Sequence, residues 1–325
     1  ECPYMKESQG LDPNFLDLSA RLGNDPLQVQ GAGGNTSIKT GKVMWIKASG
    51  KELSNSKDEN IFVKINLDAA KAETYGNGDG SCKDTIIDPS IKLRPSIETT
   101  FHAILDWPVV THTHSVVTLV HAISPEGLAA AESKLEGLPY AIVSYVKPGL
   151  PLTRLILEAA NPETQILVLK NHGLICCGET VLAVSNLIAE VEKRLAMPER
   201  RKSPVNPSPS IVPGYTMSDE SWISKDPKAL KIVRAGSYYP DHVVFLGPSL
   251  TENPTAGRVA FLVENEGIYL KSDSSKSQKA MLRCLSDILL RLPSEWNPEP
   301  IGACAEAELM NWDAEKYRQS LDSVK

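Results

Sequence analysis

The chain has 325 residues, of which 42% are hydrophobic and 23% charged, with a formal net charge of −6. That length holds one large domain, or one of ~200 residues with a smaller companion. An acidic balance without a basic block excludes nucleic acid and anionic membrane as expected partners, and no apolar run reaches the ~18–20 residues of a membrane span.

No secretory leader is legible, and the first residues, Glu-Cys-Pro-Tyr-Met, make Met5 a candidate start. Six cysteines are present, none in a C-x-x-C pair, so a reducing cytoplasm is the expected setting. Asn35-Thr36-Ser37 matches a glycosylation sequon, read as chance without a secretion signal.

Pro13 to Leu22 reads as an amphipathic helix with Phe15, Leu16, Leu18 and Leu22 on its apolar side. Gly31, Gly33 and Gly34 then precede two short strands, around Ser37–Lys39 and Val43–Ala48. Ile61–Leu67 reads as a strand, and Asp68–Tyr75 as a helix capped by Asp68. Gly76 to Asp84 is a polar loop that lacks the spacing and terminal glutamate of a calcium-binding hand. Pro95-Ser96 begins a helix with Ser96 as N-cap, which puts Glu98 in the first turn and His102 on the same face. Valines flank His112 and His114 on both sides, so the pair reads as part of a strand.

Further on, Pro125–Glu136 reads as helix, Tyr140–Tyr145 as strand and Leu152–Ala160 as helix. Gln165–Lys170 and Leu174–Cys177 read as strands joined by the tight turn Asn171-His172-Gly173, followed by a long helix, Thr180–Ala196. Strands joined by tight turns, with helices between others, predict a sheet with antiparallel pairs covered by helices. Prolines crowd Met197 to Pro213, which reads as a linker. Three units follow: residues 1–197, a linker over 198–213, and a smaller α+β region over 214–325. In the last unit, Asp226–Arg234 reads as helix, His242–Leu246 as strand and Val259–Leu270 as a hairpin turning at Asn265-Glu266-Gly267. Helices Lys276–Leu292, Ala303–Leu309 and Asp313–Leu321 complete it. Nothing in it clusters as a second active site, so its expected work is packing or oligomerisation.

Three constellations carry chemistry. A strand repeats every two residues, so His112 and His114 face one way, as two ligands of one metal must. His172, in its turn, can supply a third ligand, leaving a fourth position open on zinc or another divalent ion. His102 and His121 compete for that role, although each also reads as a structural or supporting histidine. Glu98 adds a carboxylate suited to proton transfer beside a metal. Secondly, Gly33-Gly34-Asn35-Thr36-Ser37, Ser49-Gly50 and Ser96 offer hydroxyls and backbone N–H groups without bulk, an anion cradle to which Lys51 and Arg94 could add charge. The glycines are no dinucleotide fingerprint, because Thr36 stands where the third would fall and a strand follows. Thirdly, Tyr145 stands at a strand end and could act as an acid, or simply pack.

Together the segments G-G-N-T-S, K-A-S-G, R-P-S-I-E-T-T-F-H, H-T-H-S, Y-V-K-P-G and L-K-N-H-G-L-I-C-C-G-E-T resemble the class II aldolase/adducin family, over roughly Leu16 to Leu195. The resemblance implies an α/β fold, an α/β/α sandwich around a mostly antiparallel sheet. It implies zinc on His112, His114 and His172, a catalytic Glu98, and a phosphate site at Asn35, Ser49, Gly50 and Ser96. It implies that Tyr145 acts across a subunit boundary, and so a homo-oligomer, expected to be a tetramer. The activity implied is retro-aldol cleavage of a sugar phosphate or related derivative through an enediolate. Epimerisation, decarboxylation or dehydration of a sugar acid is the alternative at the same site, and an adducin-like non-catalytic binding protein the alternative of another class. Two departures stand out. Ser96-Ile97-Glu98 replaces the family's Ser-Ser-Glu, and the link from Glu98 to His112 is short. Both, with the final third, resemble the aldolase half of bifunctional rhamnulose-phosphate aldolase/dehydrogenases. The dehydrogenase fingerprint is not read in this chain, so a stand-alone aldolase is expected.

Overall fold

The computed structural model describes residues 10–76, 80–206, 212–252 and 258–322. Part of the polar loop (77–79), part of the proline-rich linker (207–211) and the candidate start at Met5 lie outside these residues.

Helix α1 (Pro13–Asn24) starts with Asp12 as its side-chain cap and Pro13 at its first position, where a missing N–H costs nothing. Strands β1 (Asn35–Thr40), β2 (Val43–Lys47) and β3 (Phe62–Asn66) form an antiparallel meander. Helix α2 (Leu67–Glu73) is capped by Asn66, not by the expected Asp68. Helix α3 (Thr99–Ile104) starts later than expected: Glu98 is its cap residue, not part of its first turn, and Ser96 lies outside it. Strand β4 (Val109–Thr113) ends one residue before His114. Ser115 then caps α4 (Val116–Ala122), so the valines after the histidine pair are helical, not part of the strand. Next come α5 (Pro125–Leu135), β5 (Tyr140–Val143), α6 (Leu150–Ala159), β6 (Ile166–Leu169), β7 (Gly173–Gly178) and α7 (Val181–Arg194).

The strands order as β3-β2-β1-β4-β7-β6-β5, with every pair antiparallel except β5–β6. The expected mostly antiparallel sheet is therefore present. Period-two alternation splits its two faces. Val109, Leu174 and Cys176 pack with α1, α5 and α7 residues, while Val110, Ile175 and Cys177 pack with Phe101, Leu152 and Ile156 on the opposite side. His112 has the parity of Val110 and meets Phe101 edge-on, with ring centroids 5.7 Å apart.

The later segment adds β8 (Tyr215–Met217), α8 (Pro227–Ala235), α9 (Pro240–Leu246), β9 (Ala260–Val263), β10 (Gly267–Lys271), α10 (Lys276–Arg291), α11 (Ala303–Asn311) and α12 (Asp313–Asp322). The sequence suggested a strand over His242–Leu246. It is helix α9, with Pro240 at the first position, because a fully buried apolar run carries no period to tell the two apart. Val116, Leu119, Val120 and Ile123 of the first segment sit in one apolar core with Tyr238, Val243, Met281, Leu285 and Leu289. Each such buried aliphatic side chain stabilises the packing by about 1.5–3 kcal/mol.

Candidate metal centre

His112 hangs from the end of β4, and its Nδ1 lies 3.1 Å from the Leu174 carbonyl. That bond fixes the ring and turns Nε2 inward, 3.5 Å from Glu98 Oε2. His172 comes from the β6–β7 turn. Asn171 takes the left-handed conformation there (φ 53°), which asparagine tolerates, and a Cβ on Gly173 (φ 155°) would lie 2.3 Å from the Thr113 carbonyl oxygen. The turn can therefore swing His172 Nε2 to 3.2 Å from Glu98 Oε1. His114 follows β4 directly, its ring 5.0 Å from His112 and 5.6 Å from His172 between centroids.

One ligand nitrogen from each of His112, His114 and His172 lies within 4.8 Å of the others. The fit to a cation has independent support. His112 Nε2 and Glu98 Oε1, which face this centre, are buried polar atoms without a hydrogen-bond partner, an arrangement that ordinarily carries a penalty. Neutral imidazoles with a neighbouring carboxylate are the donor set of a divalent ion such as zinc. The three histidines can thus hold a divalent metal.

Electrostatics set the protonation states such a site requires. Burial pushes Glu98 up, but the imidazoles of His112 and His172 and the Asn35 amide outweigh it and hold the carboxyl well below its ordinary range. Burial holds His112 below its usual value against the pull of Glu98. Burial likewise takes His114 down to about 3, against Asp241. At neutral pH the carboxylate is ionised and those two rings are neutral.

Behind Glu98 runs a hydrogen-bonded chain. Asn35 Nδ2 donates to Glu98 Oε2 at 2.8 Å and to Ser96 Oγ at 3.1 Å. His102 Nε2 donates to Asn35 Oδ1, and Ser37 Oγ donates to His102 Nδ1 at 2.8 Å. His102 is thus a supporting residue, with burial keeping it neutral. His121 is elsewhere: its Nδ1 bonds the Val117 carbonyl at 2.8 Å.

Asn35, Ser49, Gly50 and Ser96 line one cavity of about 30 Å³ with Glu98, His114 and His172, and Ile97 lines it too. The expected charges are not there. Lys51 pairs with Glu59 at 3.1 Å, and Arg94 stacks on Tyr317, 3.9 Å from the ring centroid. Lys47 lines the cavity instead, with Nζ donating to the carbonyls of Ala32 and Lys51 at 2.7 Å, and burial brings its pKa down to about 7. Tyr145 does not line the cavity; it is half-buried, with burial and then Glu308 and Glu306 raising its phenol.

The other wall was not anticipated. Asp241 of α9 and Glu315 and Arg318 of α12 line the same cavity. A Cβ on Gly50 (φ 73°) would come within 2.3 Å of Leu321 Cδ1, so α12 lies directly on the cradle. Burial would raise Asp241, but Arg318 and then His114 bring it to about 2. Burial takes Glu315 up to about 7 despite Arg318. A proline-led aspartate in an otherwise apolar run, Tyr238-Tyr239-Pro240-Asp241-His242-Val243, was the available signal.

Among the described residues no helix is long and apolar enough to cross a membrane. Residues 16–197, more than half of the chain, match the class II aldolase and adducin N-terminal domain. The chain is 33% identical over 177 residues to YuxG of Bacillus subtilis, an uncharacterized oxidoreductase; the match takes 49% of this chain and only 25% of that protein. It is 28% identical over 175 residues to an L-fuculose phosphate aldolase of Methanocaldococcus jannaschii, covering 52% of this chain and 84% of that one. The fold resembles the N-terminal class II aldolase domain of a conserved Thermoplasma acidophilum protein (TM-score 0.51, 24% identity, 60% of this chain and 94% of that one). With the matched segment spanning the glycine loop, the Glu98 cap, the histidine strand and the Asn-His-Gly turn, the chain belongs to the class II aldolase and adducin family.

Proposed function

We propose that this chain is a metal-dependent lyase that cleaves a carbon–carbon bond of a sugar phosphate, or a related sugar derivative, by a retro-aldol reaction. One observation carries the reading: two imidazole nitrogens flank the Glu98 carboxylate at 3.5 and 3.2 Å, in a cavity also lined by Asn35, Ser49, Gly50 and Ser96. The kinship to an L-fuculose phosphate aldolase supports the substrate class. A divalent cation on His112, His114 and His172, zinc by its donor set, supplies Lewis-acid stabilisation of the charge that develops on the substrate's oxygens.

The chain's own groups do the rest. Glu98, ionised and held by Asn35, exchanges a proton with the enediolate carbon. Asn35, Ser49, Gly50 and Ser96 hold the substrate's phosphate or carboxylate through hydroxyls, amide and backbone N–H groups. Lys47 secures the Ala32 and Lys51 backbone on either side of that cradle. Tyr145 of a neighbouring copy gives or takes the proton at the departing aldehyde's oxygen, which makes the working form a homo-oligomer, a tetramer in this reading. A cavity of about 30 Å³ holds one or two waters, so the site widens when substrate enters.

A second reading shares the site. Ile97 stands in the cradle where the family has a second serine, which favours a smaller anion such as a sugar-acid carboxylate. Epimerisation, decarboxylation or dehydration would then follow the same proton exchange. Incubating metal-loaded protein with a panel of ketose phosphates and 3-oxo acids separates the two: release of an aldehyde supports cleavage, and carbon dioxide or an isomer supports the second. A protein that takes up no metal and acts on neither panel would be a binding protein.

A further inference from the structure

We infer that Asp241 is a positioning residue of the metal centre, acting on His114, so that the segment after the aldolase domain forms part of the active site. The argument begins with which nitrogen each histidine presents. His112 has its Nδ1 engaged by a backbone carbonyl, and His112 and His172 both face Glu98 through Nε2. His114 Nδ1 faces Asp241 Oδ2 at 3.4 Å. An imidazole that gives its Nδ1–H to a carboxylate keeps Nε2 unprotonated and aimed at a cation. All three rings then offer the same atom.

Asp241 is built to stay where it is. It is 2% exposed and sits in the first turn of α9, behind Pro240. Arg318 grips it with two arms, Nη1 to Oδ1 at 2.9 Å and Nη2 to Oδ2 at 3.1 Å. Such a planar fork fixes direction as well as distance. Glu315, one turn earlier on α12, takes the Arg318 Nη1 from the other side at 2.9 Å. A Cβ on Gly33 would lie 3.0 Å from both Asp241 Oδ2 and His114 Nδ1, so the glycine loop leaves no room for a side chain between them. The same stretch also anchors the third histidine's turn: Asn171 Nδ2 donates to the Tyr238 carbonyl at 3.0 Å. A purely structural Asp241–Arg318 pair would need neither the shared oxygen on His114 nor the bare glycine beside it.

The inference rests on the three histidines holding a divalent cation, and its test separates the two claims. Full-length wild type, Asp241→Asn and Arg318→Lys are stripped of metal. Their zinc affinity is measured by chelator competition, their cobalt(II) forms by visible absorption, and their metal-free folds by circular dichroism. Asp241→Asn should keep its metal-free fold, lose about 10–100-fold in zinc affinity and shift the cobalt bands. Arg318→Lys, which keeps the charge but loses the fork, should weaken zinc binding less. Wild-type affinity and an unchanged cobalt spectrum in folded Asp241→Asn would overturn the inference. If Asp241→Asn does not fold, Arg318→Lys decides: weaker zinc binding on an intact fold supports it, and a lower melting temperature with wild-type zinc affinity overturns it. A wild type that binds no zinc or cobalt overturns the metal reading itself.

Discussion

Asn35 donates its amide to Glu98 at 2.8 Å while its carbonyl accepts from His102, so one strand residue fixes the carboxylate proposed to move protons. Replacing it with alanine leaves two buried groups without partners. Asn35→Ala should lose about 1–3 kcal/mol of stability, more if the charged partner dominates. Urea unfolding measures it, and an unchanged midpoint would show the chain to be incidental.

Glu98→Gln keeps the shape and the hydrogen bond from Asn35 but removes the negative charge and the base. It should fold, retain metal on the three histidines and turn over at least about 10² more slowly. Turnover near the wild-type rate would remove Glu98 from proton transfer.

Acid should unfold the metal-free protein from neutral pH downward. Burial holds His102 well below the ordinary 6.5, His121 at about 4 and His242 at about 3. The unfolded chain protonates these rings below about 6.5 and the native one does not. Their contribution is therefore full above that pH and is lost as pH falls toward about 3–4. Glu315, raised to about 7, and Glu192 and Asp287, also raised by burial, run oppositely, but against them stand five depressed histidines once His112 and His114 are included. Melting temperature should decline from pH 7 to pH 4.5; a flat or rising profile would contradict the buried neutral rings.

The donor set was legible because its spacing is local. Two histidines one residue apart must share a face if they lie on a strand, and Asn-His-Gly is a turn by its own chemistry. Antiparallel pairs followed from tight turns between apolar runs, and the family resemblance implied that the sheet would be mostly antiparallel. What was not legible depends on long-range packing. Lys47 and Lys51 look alike on paper; the pleat buries the first, while Glu59 draws the second to the surface. Asp241, Glu315 and Arg318 reach the cavity only because α4 and α10 bring the later segment onto the sheet. The α9 helix was misread because burial on all sides erased its period.

That packing predicts the result of a truncation. Removing Gly214 to Lys325 uncovers Val116, Leu119, Val120 and Ile123 together, and takes away Asp241. The remaining piece should be aggregation-prone and poor in metal. A soluble, fully metal-loaded fragment would make the later segment an independent appendage.

Proton exchange tests the central claim without knowledge of the aldehyde. Metal-loaded protein is incubated with dihydroxyacetone phosphate, or with dihydroxyacetone, in heavy water, and the methylene signal is followed by proton magnetic resonance. The account predicts that the signal of one hydrogen fades, that a chelator stops the loss, and that Glu98→Gln slows it by about 10² or more. A protein with one divalent ion on His112, His114 and His172 that exchanges neither compound would contradict it.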